Sequence, residues 1–232
     1  MTHVHPGPFI RFAESPWSGF LASGLKRSFP AQATILYPGD QTRHLYFVRQ
    51  GEILTTHYFS AEDNFKVNVI GTNAVAGVFE LFSPFPPKAS WHALSPCICY
   101  LFTREQVERQ LPPSLMVNLL EQAALMGATM AERFTRRAEK RNDIRLARFL
   151  LHFAEASAQA GSGGGNPAIT ILPHITQEMS SELLGMHPVT FNKILAAFRK
   201  LGIIGKSKKS GLEILDPAAL TRYAEGEMPP LP

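Results

Sequence analysis

The stretch TQEMSSELLGMHPVTFNKILAAFRKL, from Thr176 to Leu201, decides the fold of the C-terminal half of this sequence. Thr176 is a good helix N-cap, so a first helix is predicted from there to Leu184, where Gly185 ends it. Pro188 then suits the first turn of a second helix. Two short helices joined by so tight a turn indicate a helix-turn-helix, and a plain helical hairpin is the alternative.

The second helix of this stretch has two chemically different faces. Its apolar residues recur at helical spacing and predict one buried stripe, formed by Phe191, Ile194, Leu195, Phe198 and Leu201. The opposite face carries small or polar groups that suit a groove about 12 Å wide. These residues are His187, Val189, Thr190, Asn192 and Lys193. The pattern therefore predicts a recognition helix for the major groove of DNA.

The composition is that of an ordinary globular protein, with 45% hydrophobic and 18% charged residues in a chain of 232. No apolar run reaches the roughly 18 residues that a membrane span needs, and the start MTHVHPGPF has no basic region followed by an apolar core. We therefore expect a cytoplasmic protein without a membrane partner.

The net charge of +4 is unevenly placed. Residues 1–134 carry 10 basic and 10 acidic side chains, whereas residues 135–232 carry 13 basic and 9 acidic ones. The whole excess therefore lies in the second part of the chain. This placement favours an anionic partner for that part, although a solvated basic face is the common alternative.

The N-terminal half reads as a series of short strands. Residues 1–24 are rich in proline and glycine and predict an irregular lead without an assigned function. From Lys26 to Thr103, apolar segments are separated by turns at intervals of about 8 to 12 residues, as at Pro38-Gly39-Asp40. About eight strands with this spacing are typical of a β-sandwich or a barrel.

A long helix follows the strands. Ser114 can cap it, a single apolar stripe runs along it, and the helix is expected to continue to about Lys140. The stripe comprises Leu115, Leu119, Ala123, Met126, Met130 and Phe134. Small residues between Ala124 and Ala131 allow close approach, so a parallel partner helix in a homodimer is predicted. The alternative is a helix that lies wholly on its own barrel.

A basic wing is predicted after the helix-turn-helix. The segments around Ile204 and Ile214 make a hairpin whose tip has the sequence KSKKSG, residues 206–211. We expect Lys200, Lys206, Lys208 and Lys209 to contact DNA phosphates. The glycine-rich segment 161–167 predicts a loop tip and not a phosphate cradle, because no Gly-Lys-Ser/Thr follows it.

Cys97 and Cys99 are the only cysteines, and their spacing places both on one side of a predicted strand. Two thiolates are too few for a four-cysteine iron–sulfur cluster or a structural zinc site. Burial in the core is therefore favoured over a redox or metal role.

The order of these elements resembles the cyclic-AMP receptor protein and FNR family of bacterial transcription regulators. The likeness spans about residues 25–225 and is most specific in YPGDQTRHLYFVRQGEI, AGVFELFSPFPPKASW and GMHPVTFNKILAAFRKLGII. It implies an α+β fold with an N-terminal cupin-like β-barrel of the cyclic-nucleotide-binding type, a long dimerisation helix and a C-terminal winged helix-turn-helix. The expected parts are the irregular lead 1–24, an effector-sensing barrel 25–111, the dimerisation helix 112–141 and a DNA-binding domain 142–226.

The resemblance also implies a function. Members of this family are allosteric homodimers that bind double-stranded DNA and regulate transcription in response to a small-molecule effector. RNA polymerase is a further candidate partner on the same ground.

One departure from the family pattern bears on the effector. Nucleotide-binding members have a Gly-Glu pair, whose carboxylate takes the ribose hydroxyl, and an Arg-Ser or Arg-Thr pair that holds the cyclic phosphate. Here Gly77 is followed by Val78, and Lys88 with Ala89 stands at the arginine position. Valine accepts no hydrogen bond and lysine lacks the bidentate fork, so cyclic AMP is not expected to be the ligand.

The remaining pocket residues are mostly apolar and aromatic. The predicted effector site comprises Phe47, Gly77, Val78, Phe79, Phe82, Lys88, Ala89, Trp91 and Tyr100 of the barrel with Leu125, Met126 and Thr129 of the long helix. Such a site suits a flat hydrophobic ligand with one anionic group, or a haem. The segment HPVTFNKILAAFRK also looks like the HHVTVSRVLASLK pattern of the halophenol-sensing halorespiration regulators, so an aromatic acid or a phenol is the leading hypothesis.

Haem-based gas sensing is the rival effector class. Its candidate axial ligands are His44, His57, His92, Cys97 and Cys99. An isolated histidine is more often a structural residue, and the cysteine count excludes iron–sulfur sensing of the FNR type.

The recognition helix also predicts a base preference. Asn192 and Lys193 can bond base edges or phosphates, and Val189 with Thr190 can contact thymine methyl groups. The arginine and glutamate that read G·C pairs in cyclic-AMP receptor proteins are replaced here by Pro188 and Val189. An A·T-rich inverted repeat is therefore expected.

An enzyme is not expected. A cupin-type enzyme needs a His-x-His and further ligands on facing strands, but the only such motif is His3-Val4-His5 in the lead. No Ser/His/Asp order or paired-carboxylate motif stands out. A scaffold that does not bind DNA is the remaining alternative.

Overall fold

The computed structural model describes residues 8–40, 42–58, 64–85, 88–136, 141–158, 176–205 and 212–231. Its chain forms two compact units, the first from Phe9 to Ala128 and the second from Thr129 onward. The predicted wing tip 206–211, the glycine-rich segment 161–167 and the motif His3-Val4-His5 lie outside the described residues.

The first unit contains strands and short helices. The strands are β1 (Phe9–Ile10), β2 (Leu25–Phe29), β3 (Thr34–Leu36), β4 (His44–Gln50), β5 (Ile53–Tyr58), β6 (Asn64–Ile70), β7 (Val75–Ala76), β8 (Ala89–Ala93) and β9 (Cys97–Thr103). The helices are α1 (Val78–Phe82), α2 (Arg104–Gln110) and most of the long α3 (Pro113–Arg136). Two 3-10 turns, Pro16–Gly19 and Leu21–Ser23, precede β2.

The strands form two sheets, with the orders β1-β6-β5-β8-β3 and β2-β9-β4-β7. In the second sheet β4 runs antiparallel to β9, with Tyr46 opposite Leu101 and Phe47 opposite Tyr100. Because successive side chains of a strand point to opposite faces, this register sends Tyr46 and Phe47 to different sides of the sheet.

The core between the two sheets is one apolar cluster. Its buried residues come from both sheets and include Leu36, Val48, Ile53, Ile70, Trp91, Cys99 and Leu101. Met126 of α3 belongs to the same cluster, and Leu125 packs against it. The long helix therefore takes part in the core of the first unit.

A second cluster, which contains Trp17, covers the other face of the β4–β9 sheet. Trp17 comes from the N-terminal lead, is completely buried and stacks on Phe47 with ring centroids 5.8 Å apart. Leu115 and Leu119 of α3 pack in this cluster as well. The lead thus supplies a core residue, which was not predicted from the sequence.

Buried amides join α3 to its own barrel. The indole N–H of Trp17 donates to Asn118 Oδ1 at 2.9 Å, and the Gln122 amide donates to the same oxygen at 2.8 Å. Gln122 Oε1 in turn accepts from the backbone N–H of Val75 at 2.8 Å. Since Gln122 is only 2% exposed, these hydrogen bonds hold α3 in one register against β7.

The second unit is helical apart from the base of the wing. Its helices are α4 (Asn142–Ala158), α5 (Gln177–Leu184), α6 (Pro188–Lys200) and α7 (Pro217–Glu225). Phe198 of α6 is fully buried and meets Tyr223 of α7 edge to face at 5.0 Å. Ile204 and Ile214 form an antiparallel bridge after α6. The α+β fold class with a barrel, a long helix and a helix-turn-helix is therefore confirmed.

Among the described helices, none combines the length and the apolar character that crossing a bilayer requires.

The start of α4 is tied to the end of the chain. Arg141 Nη2 donates to Asp143 Oδ2 at 2.7 Å and to the carbonyl of Met228 at 2.8 Å, and the backbone N–H of Leu231 donates to Asp143 Oδ2 at 3.3 Å. Burial acts to raise the pKa of Asp143. The hydrogen bonds from Arg141 and from the Ile144 backbone outweigh it, so the net pKa is lowered.

This lowered pKa predicts an acid-sensitive contribution to stability. A carboxylate with a lowered folded-state pKa stabilises the protein fully above its unfolded value of about 3.9, and the effect is lost as the pH falls through the folded value. We expect D143N to cost about 2 kcal/mol at pH 7, because a hydrogen-bonded charge is lost, and to remove most of that acid sensitivity. Thermal unfolding followed by circular dichroism between about pH 3 and pH 7 checks this. Parallel curves for the two proteins over that range would contradict it.

Candidate DNA-binding and effector sites

The helix-turn-helix has the boundaries that its local signals predict. The Thr176 hydroxyl caps α5 by accepting from the Met179 backbone N–H at 3.1 Å, and Gly185 ends the helix in the left-handed region with φ of 58°. His187 caps α6 through its Nδ1, which accepts from the Val189 N–H at 3.3 Å. Pro188 is the first residue of α6.

One face of α6 is buried in the second unit. Phe191, Ile194, Leu195 and Phe198 are each at most 8% exposed. Leu201, which was predicted to complete the stripe, is 55% exposed. It lies at the C-cap after the last helical turn, so the helical spacing no longer decides which way its side chain points. The prediction that Leu201 belongs to the buried stripe was therefore wrong.

The other face of α6 is open to solvent. Its exposed residues are His187, Pro188, Val189, Asn192, Lys193 and Lys200, and Thr190 is half-buried beside them. Val189 is 55% exposed although it is apolar. All the DNA-contact residues predicted on this helix therefore share one accessible surface, while Lys206, Lys208 and Lys209 lie outside the described residues.

An arginine that was not predicted from the sequence fixes the turn before α6. Arg145 of α4 donates through Nη2 to the carbonyls of Leu184 and, at 3.3 Å, of Gly185. Its Nη1 donates to Asn142 Oδ1 at 3.0 Å. Because the last carbonyls of a helix lack partners within the helix, this guanidinium satisfies the end of α5 and holds the turn in place. The turn follows 40 residues later in the chain, so no local pattern could have revealed the contact.

The structure divides the predicted effector residues between two regions. Trp91, Leu125 and Met126 contribute to the core between the sheets. Phe47, Val78 and Tyr100 pack instead in the cluster that contains Trp17, on the other face of the β4–β9 sheet. The grouping of those three with Trp91 was therefore wrong, because apolar clusters cover both faces of the β4–β9 sheet and the three lie in the cluster that does not contain Trp91.

The remaining predicted effector residues differ in exposure. Phe79 is 44% exposed and Phe82 is 37% exposed, with the Arg104 guanidinium 5.3 Å above the Phe82 ring. Lys88 is exposed as well. Ala89 and Thr129 are each 1% exposed.

Gly77 separates β7 from α1 at a place where only glycine fits. Its φ is 94°, and a Cβ on it would lie 3.0 Å from the Trp91 ring and 3.1 Å from the His44 carbonyl oxygen. A left-handed backbone and this close contact both exclude a side chain. Trp91 in turn meets Tyr46 edge to face, with centroids 5.3 Å apart. The aromatic wall beside Gly77 is therefore Trp91 with Tyr46, and not Phe47.

The two candidate cysteine ligands are buried thiols and do not suit a haem. Burial raises the pKa of Cys97 to about 11 and that of Cys99 to about 12, so both remain thiols. Cys97 Sγ donates to the carbonyls of Glu52 and Ser95, at 3.3 and 3.2 Å. Packed side chains fill the core beside them, and the part of the chain that the structure describes gathers no cluster of three or more metal-binding side chains.

The long helix carries two apolar faces. Leu115, Leu119 and Met126 of the predicted dimerisation stripe are at most 4% exposed, buried in the core of their own barrel. Ala123 and Met130 are half-buried, and the Phe134 side chain lies outside the described ones. The described part of the predicted stripe therefore packs on the helix's own barrel, which was the alternative to a dimer contact. The opposite face is exposed and comprises Val117, Leu120, Ala124, Ala128 and Ala131.

Two family models match the chain. The cyclic nucleotide-binding domain matches residues 26–112, and the Crp-like helix-turn-helix domain matches residues 144–223. The first model covers most of the strands of the barrel, and the second covers the helix-turn-helix.

Curated relatives agree with these models. The global nitrogen regulator of Nostoc sp. strain PCC 7120 is 26% identical over 202 residues, which cover 84% of this chain and 87% of that protein. The global nitrogen regulator of Synechocystis sp. strain PCC 6803 is 25% identical over 206 residues, covering 84% and 86%.

Solved structures share the fold. CprK complexed with OCPA superposes with a TM-score of 0.71 at 19% identity, covering 96% of this chain and 97% of CprK. A CRP/FNR-family transcriptional regulator from Thermus thermophilus gives a TM-score of 0.69 at 19% identity, covering 87% and 98%.

Proposed function

We propose that this protein binds an A·T-rich inverted repeat as a homodimer under the control of a small molecule other than cyclic AMP. The premise is that the chain belongs to the CRP/FNR family of DNA-binding transcription regulators. The observation that carries this proposal is the exposed face of α6. It presents small, polar and cationic groups on a helix whose other face is fully occupied by the core.

The base preference follows from the groups on that face. Asn192 has an amide that can bond adenine on two edge atoms, and exposed Val189 offers methyl groups to thymine. Arginine, the usual reader of guanine, is absent from the exposed first two turns of α6, where Pro188 begins the helix. These groups favour A·T pairs at the centre of each half-site.

Phosphate contacts are assigned to lysines. Lys193 and Lys200 are exposed on α6, and Lys206, Lys208 and Lys209, which lie outside the described residues, are proposed to make contacts of the same kind. Such contacts raise affinity for any DNA and make it sensitive to salt, but they carry no sequence information.

The exposed face of α3 is the proposed dimer interface. Val117 and Leu120 are 55% and 62% exposed, and Ala124, Ala128 and Ala131 continue the same line. The steps of three and four residues along this face are those of a two-stranded coiled coil. Its small residues let two backbones approach closely, and at Gly127 an added Cβ would meet nothing within 4 Å in the chain itself.

The effector is proposed to be an aromatic acid or a phenol bound in the first unit near Gly77. Cyclic AMP is disfavoured because Val78 cannot bond a ribose hydroxyl and Lys88 is exposed. The fold neighbour CprK was solved in complex with OCPA. A ligand beside Leu125 and Met126 would touch α3 directly, and it would switch the protein only if it bound two states with different affinities.

Fluorescence anisotropy with labelled duplexes tests the DNA-binding proposal. We expect purified protein to bind an A·T-rich inverted repeat with an affinity that falls roughly 1,000-fold between 50 and 200 mM salt, as several released counterions require. Cyclic AMP should change neither affinity nor salt slope. Absence of any salt-sensitive binding would instead favour the scaffold.

A further inference from the structure

A short segment beyond α7 docks on the start of α4. Residues 227–231 have no regular secondary structure, and we call them the strap. The helix-turn-helix family model covers residues 144–223, so the strap lies outside it, and so do Arg141 and Asp143, which the strap contacts. Irregular segments at the edge of a domain are usually poorly ordered unless specific contacts tie them down. The family model therefore assigns no role to the strap or to its contacts.

Two hydrogen bonds attach the strap to the start of α4. Arg141 Nη2 donates to the Met228 carbonyl at 2.8 Å, and the Leu231 N–H donates to Asp143 Oδ2 at 3.3 Å. Arg141 and Asp143 also form an ion pair with each other, in which the Asp143 side chain is only 6% exposed. Residues 229–230, between the two attachment points, are both proline. Because proline fixes φ, a segment of this kind loses little conformational entropy on docking. The strap is thus a stiff segment that one ion pair holds at two points.

The helix that precedes the strap is fixed to α4 on one side. Arg148 Nε donates to the Ala224 carbonyl at 2.8 Å, which satisfies one of the last carbonyls of α7. Gly226 then ends α7 in the left-handed region, with φ of 80°, and a Cβ on it would lie 3.3 Å from Ile144 Cδ1. The chain therefore turns from α7 into the strap directly against α4.

The other side of α7 holds α6. Tyr223 meets Phe198 edge to face at 5.0 Å, and these side chains are 3% and 0% exposed. Phe198 belongs to the last turn of α6. The beginning of α6 is fixed separately, because Arg145 donates to the carbonyls of the turn before it. The first turns of α4 therefore hold α6 near both of its ends, near the first through Arg145 and near the last through α7.

The exact position of α6 matters more for base reading than for phosphate binding. Hydrogen bonds weaken steeply when their distance or angle departs from the ideal, and the short amide side chain of Asn192 cannot follow a displaced helix. Lys193 carries its charge on a flexible four-carbon stem, so it keeps a phosphate contact through a small displacement. Loosening of α7 should therefore reduce the preference for one sequence and spare the salt-sensitive affinity for any DNA.

We propose that the strap is a positioning element for α6: through Arg141 and Asp143 it fixes α7 on α4, and α7 fixes the last turn of α6, so the strap sets base selectivity and not general affinity for DNA. This inference rests on the proposed function of α6 as the helix that reads DNA. Arg141 is accordingly a positioning residue that acts through α7.

Fluorescence anisotropy with two duplexes tests the proposal, one an A·T-rich inverted repeat and the other a scrambled duplex of the same composition. Deletion of residues 227–232 should lower the ratio of the two affinities about 10-fold, through weaker binding of the inverted repeat, and leave the salt slope on the scrambled duplex unchanged. R141A keeps the strap but removes its first attachment, and it should lower the ratio about 5-fold. L231P removes the second attachment by removing a backbone N–H, and it should lower the ratio about 3-fold.

Matched controls separate positioning from general damage. L231A keeps the backbone N–H that L231P removes, and R222A removes an arginine that is 59% exposed on α7. Both variants should keep the wild-type ratio. The equivalence point of a titration with the inverted repeat gives the active fraction of each protein. A merely structural role would lower that fraction and leave the ratio of affinities unchanged.

An unchanged ratio in the deletion variant and in R141A would overturn the inference, and so would an equal loss of affinity for both duplexes. In these two cases the wild-type protein still binds DNA, so the proposed function stands. Wild-type protein without salt-sensitive binding to either duplex would overturn the proposed function and this inference together.

Discussion

A glutamate in place of Leu120 is expected to convert the protein to a monomer and to weaken its binding to an inverted repeat by about 100-fold or more. The side chain is 62% exposed at the centre of the outer α3 face, so the substitution costs the isolated chain little. In a two-fold interface, however, two carboxylates would meet across an apolar seam. Because each half-site alone is bound weakly, loss of the second DNA-binding unit removes the gain from simultaneous contact.

Sedimentation of the free protein and anisotropy with the duplex measure the two effects. L25E is the matched control, because Leu25 is 52% exposed on β2 and lies away from α3. L25E should remain dimeric and bind DNA normally. A dimeric L120E protein would show that another surface joins the protomers.

Substitutions on α6 should separate base reading from phosphate binding. N192A is expected to cost about 1 to 3 kcal/mol, roughly 5- to 150-fold in affinity, on the preferred duplex and to flatten the preference at one base pair of each half-site. K193A should instead weaken binding to all duplexes alike and reduce the salt slope by about 1 for each protomer bound.

Anisotropy titrations on the preferred duplex and on single-base variants, at several salt concentrations, distinguish these outcomes. K26A is the matched charge control, since Lys26 is exposed on β2 in the other unit. Equal loss for N192A on every duplex would show that Asn192 reads no base. An unchanged salt slope for K193A would remove Lys193 from the phosphate contacts.

The helix-turn-helix was predictable because its signals are local. Thr176 and Gly185 act within one or two turns of their own positions, and both appear as the N-cap and the left-handed C-cap of α5. The stripe of α6 is equally local until Leu201, which lies beyond the regular helix. A residue whose role depends on a distant part of the chain leaves no such local signal. Arg145, which donates a hydrogen bond to the carbonyl of Leu184, is an example.

The alternation of side chains along β4 could not show which face of the strand lies against the core between the two sheets. Tyr46 and Phe47 are both aromatic, and both faces of the strand are covered, one by the core between the sheets and the other by Trp17. Sequence periodicity shows that a strand is buried on both sides but not which side holds the ligand. The same ambiguity led to the inner stripe of α3 being predicted as the dimer seam.

The N-terminal lead was unpredictable for a related reason. Trp17 is anchored by Asn118, 101 residues away, and by aromatic contacts with Phe47 and Phe102. Nothing in the proline-rich sequence around it indicates that it enters a core.

Selection of bound duplexes from a library with a fully randomised centre tests the central claim most directly. The account predicts enrichment of two A·T-rich half-sites in inverted orientation, with centres about 10 to 11 base pairs apart, as two α6 helices related by a two-fold axis require. Enrichment of G·C pairs at the half-site cores, or of no sequence at all, would contradict the assignment of α6 as the element that reads the DNA.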